Sequence, residues 1–196
     1  MDDVTAPPTY IARANALEYE AIWRLGPDGL ELQGGPTAGP DVVLRFPYRD
    51  IVGVRLSYAP SRVDSARYRC DLRMRSGQQL AMLSTHYAGI ADFEDRAATY
   101  APFVRALIAR VAAANPSARF RSGKNPVTYW VEHLFLLAMV VLLVFVLSMT
   151  GFAPLSESSW AKLGIVLGSI PLLLVYTRKN WPSRFMPDTI PKDVLP

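Results

Sequence analysis

Between residues 17 and 84, apolar and polar residues alternate along short segments that turn residues interrupt. In the clearest segment, apolar side chains occupy the even positions from Tyr68 to Met74, and charged ones occupy all the odd positions from Arg67 to Arg75. A period of two places one set of side chains on a core and the other in water. The pattern therefore predicts six strands of an antiparallel sheet, joined by frequent turns.

One amphipathic helix is predicted after the strands, from Asp92 to Ala114. Its apolar residues recur at spacings of three and four: Phe93, Ala97, Tyr100, Val104, Leu107, Ile108 and Val111. Asp92 is the expected N-cap, and Pro102 is expected to kink the helix or split it in two. Six strands followed by one helix favour a curled sheet whose open end the helix covers.

Two long apolar runs follow, and they predict a transmembrane hairpin. Val127–Thr150 has 24 residues and Trp160–Thr177 has 18, against the about 20 that a helix needs to cross a bilayer. Basic residues precede the first run and follow the second, whereas the loop 151–159 contains no Lys or Arg. The positive-inside rule then places both termini in the cytoplasm and the chain in the inner membrane.

The stretch 46–56, the two-strand hairpin after it and the closing helix resemble bacterial pleckstrin-homology-like (PH-like) domains. The layout as a whole, with paired apolar helices and a Pro-rich end, resembles small bacterial membrane proteins of unknown function. The resemblance covers about residues 10–120 and implies a barrel fold with a general binding role. It implies no ligand residues, because the loop 25–29 has only Arg24 beside it. A seventh strand, as in a PH barrel, would lie at Tyr10–Arg13.

Together these patterns predict a membrane α+β protein. Its fold is expected to be an antiparallel PH-like β-barrel or sandwich with one capping helix, followed by a two-helix transmembrane hairpin. The predicted domains are a cytoplasmic PH-like domain at 1–120, a basic linker at 121–126, the hairpin at 127–177 (spans 127–150 and 160–177) and a Pro-rich cytoplasmic tail at 178–196.

Charge and reactive residues predict no enzyme. The net charge is +4 and is spread evenly between the two parts of the chain, so nucleic-acid binding is not expected. Only His86 and His133 represent histidine, and the single cysteine, Cys70, falls on the inward side of its strand. No nucleophile–base pair, metal-ligand spacing or glycine-rich phosphate loop is present in the sequence. We therefore expect no cofactor and no metal.

Two surfaces remain as candidate binding sites. The first is the charged side of the segment Arg67–Arg75, either a site for anionic lipid or an acidic partner, or a solvated face crossed by salt bridges to Glu18, Glu20, Glu31 or Asp71. The residues assigned to lipid headgroups are Arg67, Arg69, Arg73, Arg75, Lys162, Arg178 and Lys179. The residues assigned to a protein partner are Gly164, Gly168, Trp181 and Phe185.

Those partner residues combine a small-xxx-small pair in the second span with apolar side chains of the tail. The glycine pair could equally pack on the chain's own first span, and the tail on the membrane surface or on its own domain. The sequence thus predicts a non-catalytic, membrane-tethered interaction module, a subunit or assembly factor of a larger inner-membrane complex. Its partners would be the bilayer and another membrane protein. An anionic-lipid sensor is the alternative, and an unrecognised enzyme the third possibility.

Overall fold

The structure, a computed structural model, describes residues 7–36, 39–60, 67–90, 92–149, 178 and 181–195. The chain divides into two compact units. The first comprises Met1–Gly123 together with Ser183–Pro196, and the second comprises Lys124–Pro182. The C-terminal segment therefore belongs to the same unit as the N-terminal sheet residues.

The first unit begins with a four-stranded antiparallel sheet. Its strands are β1 (Thr9–Ala12), β2 (Ala21–Leu25), β3 (Gly29–Gln33) and β4 (Val43–Pro47), in the order β1-β2-β3-β4. Strict alternation buries Trp23 and Leu25 from β2 and Leu30 and Leu32 from β3. Gly29 is needed where β3 approaches β4, because a Cβ there would lie 2.6 Å from the carbonyl oxygen of Phe46.

A short 3₁₀ helix (Tyr48–Asp50) leads into the remaining strands of this unit. These are β5 (Ile51–Tyr58), β6 (Tyr68–Met74), β7 (Gln79–Leu83), β8 (Thr85–Gly89), β9 (Asp92–Asp95), β10 (Arg119–Ser122) and β11 (Ser183–Arg184). Five of them form a second sheet in the order β11-β10-β5-β6-β7, and β8 and β9 form a separate hairpin. The β10–β5 pair is parallel, whereas the other pairs in this sheet are antiparallel.

Helix α1 (Ala97–Ala114) supplies one side of the core. Its apolar stripe is buried: Tyr100, Ala101, Phe103, Val104, Leu107, Ile108 and Val111. The predicted N-terminus is wrong, because Asp92 lies in β9, and it is Asp95 whose Oδ1 accepts a hydrogen bond from the Ala97 backbone N–H at 2.8 Å. At the other end, the buried Asn115 side chain donates to the carbonyl oxygens of Ile51 and Arg49 at 3.0 and 3.2 Å, which ties α1 to β5.

The C-terminal segment packs against other parts of the first unit, to which it belongs. β11 pairs with β10, and the ring of Phe185 lies 5.9 Å from that of Phe120. Val194 and Leu195 are 3% and 2% exposed and belong to the core. Apolar residues that would be costly to leave in water are therefore covered within the unit itself.

The second unit contains helix α2 (Pro126–Met149). Near its start, Lys124 Nζ lies 2.8 Å from both carboxylate oxygens of Glu132. Tyr129 and His133 are one turn apart on α2, and the centroids of their rings lie 3.9 Å apart. The ring of Trp181 meets that of Tyr129 edge to face at 5.7 Å.

The structure contradicts the predicted PH-like barrel. Within the described residues the two larger sheets are open, since β4 ends one sheet and β7 the other, each pairing on one side only. The expectation of purely antiparallel pairing also fails at β10, which returns after α1 to lie parallel to β5. Closing a barrel requires an unbroken circle of paired strands, and these sheets do not provide one.

The structure also contradicts the predicted transmembrane hairpin. Among the helices of the described residues, none is both long enough and apolar enough to cross a membrane. The inner-membrane localisation with both termini cytoplasmic rests on that hairpin and is contradicted with it. The second predicted span, 160–177, lies outside the described residues.

Candidate functional site

The outer side of the five-stranded sheet brings together arginines from four different strands. We call this surface the arginine face, and its residues are Arg55, Arg69, Arg73, Arg119, Arg121 and Arg184. The register aligns them across the sheet: Arg121 is opposite Arg184 on β11 and opposite Arg55 on β5. Because neighbouring strands lie about 4.8 Å apart, these side chains are close neighbours in space.

The sequence forces this arrangement because the alternate positions of the same strands are apolar. Val54 and Leu56 of β5, Leu72 of β6 and Phe120 of β10 are all buried in the core. In a strand, successive side chains point to opposite sides. Burying these four residues therefore turns the arginines between them outward.

Among the described residues of this face, Asp71 is the one carboxylate, and it lies opposite Arg55 in the register. Asp71 pairs with Arg69, with Nε to Oδ1 at 2.7 Å. Among the described residues, no carboxylate forms an ion pair with any other member of the arginine face. Burial lowers the pKa of Arg55 and the positive charge of Arg121 adds to that effect, whereas the negative charge of Asp71 acts against it. The face thus holds like charges close together, an arrangement that an anion would stabilise.

A glycine lies in the middle of this face. Gly53 is opposite Arg119 on β10 and opposite Arg73 on β6. A Cβ built on Gly53 would be 3.7 Å from the Arg119 carbonyl oxygen and 3.7 Å from the Arg73 Cβ, which is ordinary contact distance. Gly53 therefore lies at contact distance from its neighbours, and it differs from Arg55 and Ser57, which follow it on the same side of β5, in having no side chain. We call this position, bounded by Arg55, Arg73 and Arg119, the Gly53 hollow.

The residues predicted from the Arg67–Arg75 segment are placed only partly on this face. Arg69 and Arg73 point outward from β6, as the alternation predicts. Arg67 precedes the strand, and its Nε donates to the Ala59 carbonyl oxygen at 2.9 Å. Arg75 follows the strand, and its Nε lies 3.9 Å from Oδ1 of Asp50. Of the salt-bridge partners considered for this face, Asp71 is the one observed.

The residues predicted to contact a partner or lipid through the C-terminal half fall into two groups. Phe185 packs on Phe120 within its own unit, and Trp181 is 56% exposed with one edge on Tyr129. Arg178 is exposed. Gly164, Gly168, Lys162 and Lys179 lie outside the described residues. Sequence reasoning missed the arginines of β5, β10 and β11, since their only signal was alternation in strands far apart in the chain.

The groups that could carry chemistry are engaged elsewhere. His86 Nδ1 accepts a hydrogen bond from the Arg13 backbone N–H at 3.2 Å. Cys70 is fully buried, and that burial raises the pKa of its thiol, which keeps it protonated. Within the part of the chain that the structure describes, no three His, Cys, Asp or Glu side chains are grouped as metal ligands. The arginine face is therefore the strongest candidate site.

Comparison of the chain with protein-family models, with characterised proteins and with solved structures finds no match.

Proposed function

We propose that this chain is a non-catalytic interaction module that binds an acidic segment of a protein partner through the arginine face. The observation that carries the proposal is the alignment of six guanidinium groups on one side of one sheet with a single paired carboxylate among them. Membrane tethering is no part of it.

Guanidinium groups suit this role for two physical reasons. Each is planar, permanently charged and weakly hydrated, and it can form two parallel hydrogen bonds with one carboxylate. A cluster of like charges also raises the electrostatic potential over the sheet, which attracts acidic segments and speeds their encounter. Arg55 and Arg121 are cross-strand neighbours of like charge, and an acidic partner would bring further carboxylates beside them.

A protein partner fits the face better than a nucleic acid. Sheets that bind single-stranded nucleic acids present aromatic rings on which bases stack. The outward positions of the described strands β5, β6, β7, β10 and β11 between the arginines carry no aromatic residue. Carboxylates need no such ring, so the composition of the face favours an acidic polypeptide.

The proposal is tested by the binding of a labelled oligoglutamate peptide to the purified full chain, with oligolysine of equal length as the reference. We expect the chain to bind oligoglutamate and not oligolysine. The affinity for oligoglutamate should fall as salt is added, because dissolved ions screen the attraction. Arg119→Glu should weaken binding about fivefold or more, since an exposed ion pair contributes up to about 1 kcal/mol and the reversal adds repulsion.

Arg105→Glu is the matched control, because Arg105 is exposed on α1 and the change in net charge is the same. This variant should bind like the unaltered chain. If both variants lose affinity equally, net charge rather than the arginine face drives binding. If the unaltered chain does not bind oligoglutamate at all, the proposal is wrong.

A further inference from the structure

We propose that the Gly53 hollow binds a phosphomonoester dianion, carried on a phosphorylated side chain of the partner. This inference rests on the proposed function and names the chemistry that the arginine face would recognise. It depends on where the arginines stand around Gly53, on the lack of a side chain at that position, and on the amount of charge to be matched.

Arginines surround Gly53 on its own strand and on both neighbouring strands. Arg119 and Arg73 flank Gly53 on its two neighbouring strands, and Arg55 follows two residues later on the same side of β5. Arg121, which is on β10, lies opposite Arg55 on β5. Long side chains from three adjacent strands can thus meet over one residue that has no side chain of its own.

Gly53 also differs from its neighbours in having no side chain. Every other outward position of β5 in this region carries a side chain, whereas Gly53 exposes backbone. The Arg119 carbonyl oxygen and the Arg73 Cβ lie 3.7 Å from the position that a Cβ would take at Gly53, so the room here is that of the missing side chain. A compact anion could therefore approach the sheet more closely here than elsewhere on the face.

The positive charge of the arginines around Gly53 calls for a ligand with more than one negative charge. Asp71 pairs with Arg69 and lies opposite Arg55, whereas Arg73 and Arg119 form no ion pair with a described carboxylate. One carboxylate matches one guanidinium fork. A phosphomonoester carries a charge of about −1.5 to −2 at pH 7 and has three strong acceptor oxygens. It can therefore neutralise guanidinium groups from more than one strand at once.

The same arithmetic separates this ligand from the phosphates of a nucleic-acid backbone. A phosphodiester carries a single charge and is spread along a polymer, whereas the arginines gather around one point. Base stacking, which supports binding of single strands, has no aromatic residue to use among the described residues of this face. A lipid surface would spread its charge likewise, over an area much larger than the hollow.

The experiment titrates the full chain with O-phosphoserine, and separately with glutamate, at constant ionic strength. NMR signals of the Gly53 amide and of the arginine Nε–H groups report the site. Phosphoserine should shift the signals of Gly53, Arg55, Arg73 and Arg119, and it should bind about tenfold more tightly than glutamate because it matches about twice the charge.

Two variants on the same face separate the hollow from general electrostatics. Gly53→Glu places a carboxylate among the arginines and should abolish phosphoserine binding. Ala81→Glu makes the same change in net charge at an exposed position of β7, opposite Asp71, and should leave most of the binding intact. If Gly53→Glu does not fold, Arg119→Gln provides the same test and should lower phosphoserine affinity more than glutamate affinity.

Several results would overturn the inference. Equal affinities for phosphoserine and glutamate would show that no phosphate site exists, and if oligoglutamate still bound the face, the proposed function would stand without it. Equal losses in Gly53→Glu and Ala81→Glu would remove the hollow as the site. Tighter binding to an oligonucleotide, or to vesicles that contain phosphatidylinositol phosphate, than to a phosphoserine peptide of equal charge would assign the face to another class of ligand. Failure of both phosphoserine and oligoglutamate to bind would remove both proposals.

Discussion

Two tyrosines in contact within the core should respond in opposite ways to the loss of their hydroxyl groups. Tyr10 and Tyr100 are 1% and 0% exposed, and their rings meet edge to face at 5.6 Å. The Tyr10 hydroxyl donates a hydrogen bond to the Leu83 carbonyl oxygen. The Tyr100 hydroxyl is buried and has no hydrogen-bond partner among the described residues.

The magnitudes follow from these surroundings. A buried polar group without a partner costs about 1–3 kcal/mol of stability, so Tyr100→Phe should remove that cost. Part of the gain is lost because the oxygen leaves a small void. We expect a net increase of about 1 kcal/mol in the free energy of unfolding. Tyr10→Phe should lower it by about 1–2 kcal/mol, because a hydrogen bond is lost and the Leu83 carbonyl is left unpaired.

Urea unfolding of the full chain, followed by far-ultraviolet circular dichroism, measures both changes. With an unchanged slope, the midpoint should rise for Tyr100→Phe and fall for Tyr10→Phe. Thermal midpoints should move by about 2–4 °C per kcal/mol for a chain of this size. A loss of stability in Tyr100→Phe equal to that in Tyr10→Phe would refute the reasoning, since it would mean that both hydroxyl groups make a bond worth keeping.

Two further predictions concern the C-terminal segment and alkaline pH. Leu195→Ala should lower the free energy of unfolding by about 2–4 kcal/mol, because Leu195 is buried in the core of the first unit. The control Lys192→Ala changes an exposed residue and should alter the free energy of unfolding by less than about 0.5 kcal/mol. Equal effects of the two substitutions would show that the segment does not stabilise the unit. Burial raises the pKa of the Cys70 thiol, so the folded chain keeps this proton where the unfolded chain loses it, above the ordinary value of 9.0. Stability should therefore be flat below that pH and fall above it, by up to about 1.4 kcal/mol per pH unit for this group. Urea midpoints from pH 8 to 10 should show a smaller fall in Cys70→Ala, and an unchanged fall would exclude the thiol as its cause.

The helix illustrates how far local pattern determines structure in this protein. The spacing of Tyr100, Val104 and Leu107 predicts one buried stripe, and all three are buried in α1. The start of the helix was not predictable in the same way. Asp92 and the acidic residues after it suit a helical first turn, yet 92–95 pairs with β8, where the rings of Tyr87 and Phe93 meet at 5.6 Å. Pairing with the strand just before it, β8, overrode the helical preference of this segment.

The long apolar runs show the opposite limit. Composition alone predicted two spans, and helix α2 does begin where the first run begins. The described residues nevertheless hold no helix that meets the requirements for crossing a membrane. The apolar tail had several possible places from its sequence. Only the tertiary structure decided that Val194 and Leu195 enter the core of the first unit, because that depends on the space left between distant elements.

Alternation by itself determined which side of each strand faces water, and therefore that Arg69 and Arg73 point away from Leu72. Alternation could not show that other arginines join them on one face. Basic and acidic residues are spread almost evenly along the chain, so no segment of the sequence marks the cluster. Strand order decided this: β10 returns after α1 to pair parallel with β5, and β11 arrives from residues 183–184. Pairing between segments more than sixty residues apart depends on the packing of the whole core, and that packing places Arg55, Arg121 and Arg184 side by side.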